Sequence, residues 1–152
     1  VDRIHIRKPD SERHTFEVLI QAIRPEYLDR ITLHDHHAIA VEKGLGGIHL
    51  NRRNPVAPAG FNGLVSRSCH SLEEAVEAEK LGCTYITAGH IYETDCKKGL
   101  PGRGIEFLKK ICETVSIPVY AIGGITFDKT QWNALKEQGA SGACIMSGMM
   151  KL

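Results

Sequence analysis

Thr84-Tyr85-Ile86-Thr87-Ala88 leads into Gly89-His90-Ile91-Tyr92-Glu93-Thr94-Asp95-Cys96-Lys97-Lys98-Gly99-Leu100-Pro101-Gly102-Arg103-Gly104, and residues 105–115 follow. The first five residues form a largely apolar run of strand length. Ile105, Leu108, Ile111 and Cys112 recur at helical spacing. Between them a His, a Thr, an Asp, a Cys and two Lys sit on a glycine-punctuated loop. Buried strand, polar loop and helix, in that order, make the repeating unit of parallel α/β folds. The loop beyond the strand's carboxyl end is where such folds bind ligands.

The same unit recurs on both sides of this stretch. Toward the amino end, strands are expected at Ile4-His5-Ile6, Ile31-Thr32-Leu33, Gly47-Ile48-His49-Leu50 and from Gly63-Leu64-Val65 onward. Helices are expected over residues 16–23, ended by Pro25, and over 36–43, stopped by Gly44. Ser71-Leu72-Glu73-Glu74 reads as a capping box opening a third helix, with Ala75, Ala78 and Leu81 as its apolar stripe. Toward the carboxyl end come a strand at residues 117–122, a helix at 128–138 and a last strand at 142–146. Short, mostly apolar strands alternating with helices indicate a parallel sheet covered on both faces. The pattern fits a doubly wound sheet or a (β/α)8 barrel. Seven strands and five helices match a single TIM-barrel domain over residues 1–152, short of a first strand–helix unit and a last helix. The open sheet edge of such a chain would be covered by further chain or by a second copy, so a homodimer is one expected arrangement.

Composition narrows the function. A net charge of +1, from 19 basic and 18 acidic residues with no basic run, argues against nucleic acid as a partner. No apolar stretch has the roughly 20 residues of a membrane span, and no signal peptide is apparent. The five cysteines, at 69, 83, 96, 112 and 144, are odd in number and scattered. That suits a reduced, cytoplasmic setting better than a disulfide scaffold or a zinc module.

Two glycine motifs stand at consecutive strand ends, Gly123-Gly124-Ile125 and Met146-Ser147-Gly148. Glycines there let backbone N–H groups approach an anion, and a helix starting near Thr126 or Phe127 would add positive potential. Gly-Gly after a strand also serves as a plain tight turn; the pair together favours phosphate. His90, directly after Gly89 at a strand end, is the candidate for proton transfer. Lys97 and Lys98 could neutralise a phosphate, although lysines are mostly solvated. Cys96 has no identifiable partner base. His34-Asp35-His36-His37 resembles a metal cluster, but consecutive histidines cannot all face one ion and no second group has ligand spacing. A helix start with Asp35 as N-cap accounts for much of it, and Asp35 remains a candidate ligand for a hard ion such as Mg²⁺. Arg7 and Lys8, at the end of the first strand, are candidate anion contacts.

These residues resemble a known family. Residues 89–99 with Gly102-Arg103-Gly104, the stretch Ser68-Cys69-His70-Ser71-Leu72-Glu73-Glu74-Ala75, Ile117-Pro118-Val119 through Ile125, and Met146-Ser147-Gly148 are similar to the TenI branch of the thiamine phosphate synthase superfamily. The likeness runs from about Ile4 to Gly148. It implies a TIM barrel and a thiazole phosphate or thiamine phosphate ligand. In the TenI branch it implies thiazole tautomerase activity without a cofactor, with His90 catalytic and phosphate contacts at Gly123, Gly124, Ser147 and Gly148. Arg7, Thr94 and Lys97 are further candidate ligand contacts. That branch pairs its His with a Glu where Lys8 stands, so His90 would need another partner, such as Asp10 or His5.

The sister branch, thiamine phosphate synthase, joins a pyrimidine diphosphate to the thiazole phosphate and requires Mg²⁺. Its Arg-Glu-Lys strand end matches Arg7-Lys8-Pro9. Its Asn-Asp pair matches His34-Asp35, its second metal Asp matches Asn54, and its Thr-x-Thr-Lys loop matches Thr94-Asp95-Cys96-Lys97. One carboxylate of two, Asp35, is thus retained for the metal. A third reading is a non-catalytic binder of thiamine phosphates.

Overall fold

The computed structural model describes residues 1–94 and 99–151. Helix and strand alternate through them: β1 (Ile4–Ile6), α1 (Arg13–Gln21), β2 (Ile31–Leu33), α2 (Ala38–Lys43), β3 (Gly47–Leu50), β4 (Leu64–Cys69), α3 (Leu72–Lys80), β5 (Tyr85–Gly89), α4 (Gly104–Thr114), β6 (Val119–Ile122), α5 (Lys129–Glu137) and β7 (Gly142–Cys144). Short 3₁₀ helices add Pro25–Arg30 and Met149–Lys151. The chain divides into two compact units, Val1–Ser66 and Arg67–Leu152.

In the first unit β1, β2 and β3 pair in parallel. Ile4, His5 and Ile6 oppose Ile31, Thr32 and Leu33, and Thr32 and Leu33 oppose Gly47 and Ile48. Side chains alternate between faces along a strand. This register therefore sorts Arg3, His5 and Arg7, Thr32 and His34, and Gly47 and His49 onto one face. Ile31, Leu33, Ile48 and Leu50 fall on the other and are buried, as are Phe16 and Ile20 one turn apart on α1 and Ile39 and Ala40 on α2. One face of the sheet is thus an ordinary helix-covered core and the other is polar.

In the second unit β5, β6 and β7 pair in parallel, with Thr87 opposite Tyr120 and Ala121 opposite Ala143. Every residue of β5 is buried, as expected of a parallel strand covered on both faces. Ala75 and Ala78 of α3, Leu108 and Ile111 of α4 and Leu135 of α5 are buried. Ser71 caps α3 as expected, its hydroxyl accepting from Glu74 N–H at 3.1 Å. The return arm of the box differs: Glu74 accepts from His70 N–H rather than from Ser71.

Three expectations are corrected. The helix after β2 begins at Ala38, with His37 at its cap position and no side-chain cap bond, so Asp35 is not an N-cap. The chain turns first at His36, whose φ is 54°. The last strand stops at Cys144 rather than Met146, because the chain closes a turn there, with Met149 N–H donating to Met146 O at 3.1 Å. And α5 begins at Lys129, past Thr126 and Phe127. Its first turn is held by the Asp128 carboxylate, which accepts from Thr130 N–H at 2.9 Å. The α5 amino terminus therefore carries its own anion.

Candidate functional site

Each unit carries its own set of functional groups past the carboxyl ends of its strands. In the first unit Asp35 follows His34 at the end of β2. Its side chain is only 14% exposed. Its Oδ1 accepts from Asn51 Nδ2 at 3.3 Å and from Asn54 Nδ2 at 3.4 Å, and Arg53 Nε lies 3.8 Å away. Asn51 knits the loop after β3. Its Oδ1 accepts from the N–H of Arg53 and of Asn54, both at 2.9 Å, and its amide donates to His34 O. Arg53 is held from the far side by Asp10 at 3.0 Å. A cavity of about 170 Å³ opens here, lined by Arg7, His34, Asp35, Asn51, Arg52 and Arg53. Beside it a pocket of about 350 Å³ is lined by residues that include Lys8, Asp10, Asp35, Arg53 and Asn54. Three arginines lining one cavity with a carboxylate suit an anionic ligand with room for a cation.

Three histidines meet on the polar face below this cavity. His5 Nδ1 and His34 Nε2 are 2.9 Å apart, and the His34 and His49 rings stack with centroids 4.1 Å apart. His49 Nδ1 lies 2.8 Å from Ser66 Oγ, and Ser66 donates its proton to Ile48 O at 3.2 Å. Ser66 has a single proton, so His49 Nδ1–H is the donor to it and His49 Nε2 carries the lone pair. Burial pushes all three imidazoles down: His5 to about 4, with Arg3 contributing, and His34 to about 3 and His49 to about 2, with neighbouring imidazoles contributing to both. They are neutral at pH 7.

In the second unit His90 follows β5 and is buried. Its Nε2–H donates to Pro101 O at 3.1 Å, which leaves the lone pair on Nδ1. That Nδ1 is buried with no hydrogen-bond partner among the described residues. His70 Nδ1–H donates to Gly89 O at 2.6 Å and so buttresses the end of β5. Gly123 and Gly124 have φ of 100° and 67°. A Cβ on Gly123 would meet the His90 Cβ at 2.4 Å, and one on Gly124 would meet Glu93 O at 2.4 Å. Backbone bonds continue across this contact, from Ile91 N–H to Ile122 O and from Tyr92 N–H to Gly123 O. The two glycines are thus demanded by close packing on the His90 segment. Gln131 secures the turn behind them, accepting from Thr126 N–H and donating to Gly124 O.

The structure therefore brings Arg7 and Asp35 to one cavity in the first unit, and in the second it brings Gly123 to His90 and Gly124 to Tyr92 and Glu93. Thr94 is half-buried, and Ser147 and Gly148 occupy the turn after β7, with Ser147 exposed. Lys97, Lys98 and Cys96 lie outside the described residues. Cys69 and Cys144 are thiols pushed up to about 12 and about 11 by burial, so they are not nucleophiles. Asn51, Arg52, Arg53 and His70 escaped sequence reading, although Asn51-Arg52-Arg53 directly follows a predicted strand. His49 escaped because only register shows its face.

Parallel strands joined by helices, with polar groups gathered past the strands' carboxyl ends, define an enzyme-like α/β protein of the TIM-barrel kind. Comparison with known proteins is specific. The model of the family described as thiamine monophosphate synthase matches residues 1–149. The thiamine-phosphate synthase of Syntrophomonas wolfei is 30% identical over 159 residues, covering 99% of this chain and 75% of that protein. That of Caldivirga maquilingensis is 37% identical over 120 residues, covering 76% and 58%. The solved thiamine phosphate pyrophosphorylase of Pyrococcus furiosus is 28% identical with a TM-score of 0.82, covering 99% of this chain and 75% of that one. The chain belongs to the thiamine monophosphate synthase and TenI family. It spans between 58% and 75% of the length of these relatives. Among the described residues no helix is long and apolar enough to cross a membrane.

Proposed function

We propose that this chain acts in thiamine biosynthesis as a thiamine-phosphate synthase, a transferase that joins a pyrimidine diphosphate to a thiazole phosphate. The observation that carries this reading is the cavity of Arg7, Arg52 and Arg53 around Asp35. Its support from relatives is the shared name of the proteins at 30% and 37% identity. The expectation of a tautomerase as the first reading gives way here, since the relatives' shared name and the arginine cavity both favour diphosphate chemistry.

When the bond to diphosphate breaks and the bond to the thiazole forms, negative charge grows on the leaving group. Guanidiniums fixed before the reaction stabilise that charge without reorganising. Asp35 suits a single Mg²⁺: it is a carboxylate lining the arginine cavity, and its contacts among the described residues fall on Oδ1. Mg²⁺ commonly takes one or two carboxylates plus phosphate oxygens and waters. Bound there, the ion would neutralise the diphosphate. Asn54, in place of a second carboxylate, leaves one anionic ligand and predicts a weak site. In the second unit Gly123, Gly124, Ser147 and Gly148 are the proposed thiazole phosphate contacts, together with Thr94 and Lys97.

A second reading, thiazole tautomerase, is favoured by one feature: the buried lone pair of His90 Nδ1, which has no partner among the described residues. A base in that state can take a proton from a bound thiazole phosphate. The two readings separate in one assay with purified protein. Diphosphate release from the two substrates that depends on Mg²⁺ supports the synthase. Aromatisation of a carboxythiazole phosphate without Mg²⁺, and no diphosphate release, would replace it with the tautomerase.

A further inference from the structure

We propose that His5, His34 and His49 form a binding site for a zinc-class divalent ion, separate from the Asp35 position and independent of the synthase reading. One ring nitrogen from each of the three lies within 4.8 Å of the others. His5 lies in β1, His49 in β3 and His34 directly after β2, on one face by register, so the sheet itself presents them. The His5 Nδ1 to His34 Nε2 separation of 2.9 Å is close to the roughly 3.3 Å between ligand atoms about a tetrahedral zinc with bonds of about 2.0–2.1 Å.

The surroundings match what such a site needs. Neutral imidazole is the ligating form. Ser66 fixes His49 as the Nδ1–H tautomer and so puts the lone pair on Nε2, the role of an outer partner in a histidine metal site. Nitrogen ligands select zinc, cobalt, nickel or copper over Mg²⁺, which prefers oxygen. Three protein ligands leave a fourth position, as in zinc sites that keep a water or take an anion. His34 also lines the arginine cavity, so an anion there is the nearest outside ligand. Binding exchanges the His5–His34 hydrogen bond for two metal bonds and requires His34 or His49 to turn, because their planes are now only 19° apart.

The test uses the full chain, stripped with chelator and dialysed against Zn²⁺ or Co²⁺. One metal per chain is expected, with the visible absorption of tetrahedral nitrogen-ligated Co²⁺ and no thiolate charge-transfer band. His49→Ala should abolish binding. Ser66→Ala, a smaller change, should weaken it by about 10- to 100-fold, while Asp35→Asn should leave it unchanged. Binding that is absent in the wild type, that shows a thiolate band, or that survives Ser66→Ala and His49→Ala at full strength overturns the proposal.

Discussion

Gly123 lies directly against His90: a Cβ at position 123 would stand 2.7 Å from the His90 Cα and 2.4 Å from its Cβ. The turn after β6 and the segment after β5 are therefore in backbone contact, and only glycine at φ 100° permits it. Gly123→Ala should lower stability by about 2 kcal/mol or more, since the clash adds to the cost of positive φ. Urea denaturation checks this. A variant as stable as the wild type would mean that the contact is not formed.

Arg52 is exposed, lines the anion cavity and has no ion-pair partner among the described residues. Arg52→Ala should leave stability within about 0.5 kcal/mol. It should weaken diphosphate binding by about tenfold, the worth of one charge-assisted bond. Calorimetric titration with inorganic diphosphate at two salt concentrations tests it. Unchanged affinity would remove Arg52 from the site.

His90→Asn should retain the fold and lose Nδ1 as a base. Aromatisation of the carboxythiazole phosphate, where measurable, should fall by about 10²- to 10⁴-fold. Mg²⁺-dependent diphosphate release should fall much less. Equal losses in both assays would make His90 a structural residue.

The histidine cluster predicts acid sensitivity. His5, His34 and His49 have folded values of about 4, about 3 and about 2, against an ordinary 6.5. Below 6.5 the unfolded chain binds protons that the folded chain refuses. Stability should thus be complete above pH 6.5 and decline as pH falls toward 4 and below. His5→Gln should flatten that slope in urea melts between pH 7 and pH 4.5. An equal slope in the variant would show that His5 titrates normally.

Ser71 holds the first turn of α3 through Glu74 N–H. Ser71→Ala should cost about 1 kcal/mol, read as a lowered Tm, and Ser71→Asp should restore most of it. Failure of Asp to rescue would argue that the hydroxyl acts elsewhere.

Order and type of element were legible in the chain. Ile4–Ile6, Ile31–Leu33 and Gly47–Leu50 stand where their short apolar runs stand, because alternate residues of each strand face the helix-covered side of the sheet. Boundaries shifted where a local competitor intervened: Asp128 captured the start of α5, and the Met146–Met149 turn cut β7 short. The resemblance placed His90, Asp35 and the glycines at strand ends, which strand–loop–helix order suffices to do.

Which side chains meet is a matter of register, and local patterning carries no register between strands. His34 reads as one of four polar neighbours in sequence. Once Leu33 opposes Ile48 and His5 opposes Thr32, it stands with His5 and His49, residues 29 and 15 positions away. The glycine pair reads as an anion turn, yet Gly123 packs against His90 and Gly124 against Tyr92 and Glu93. Periodicity and composition thus settled the fold class and where its polar loops lie. Strand register and close backbone approach, which exist only between segments distant in the chain, chose the partners within each site.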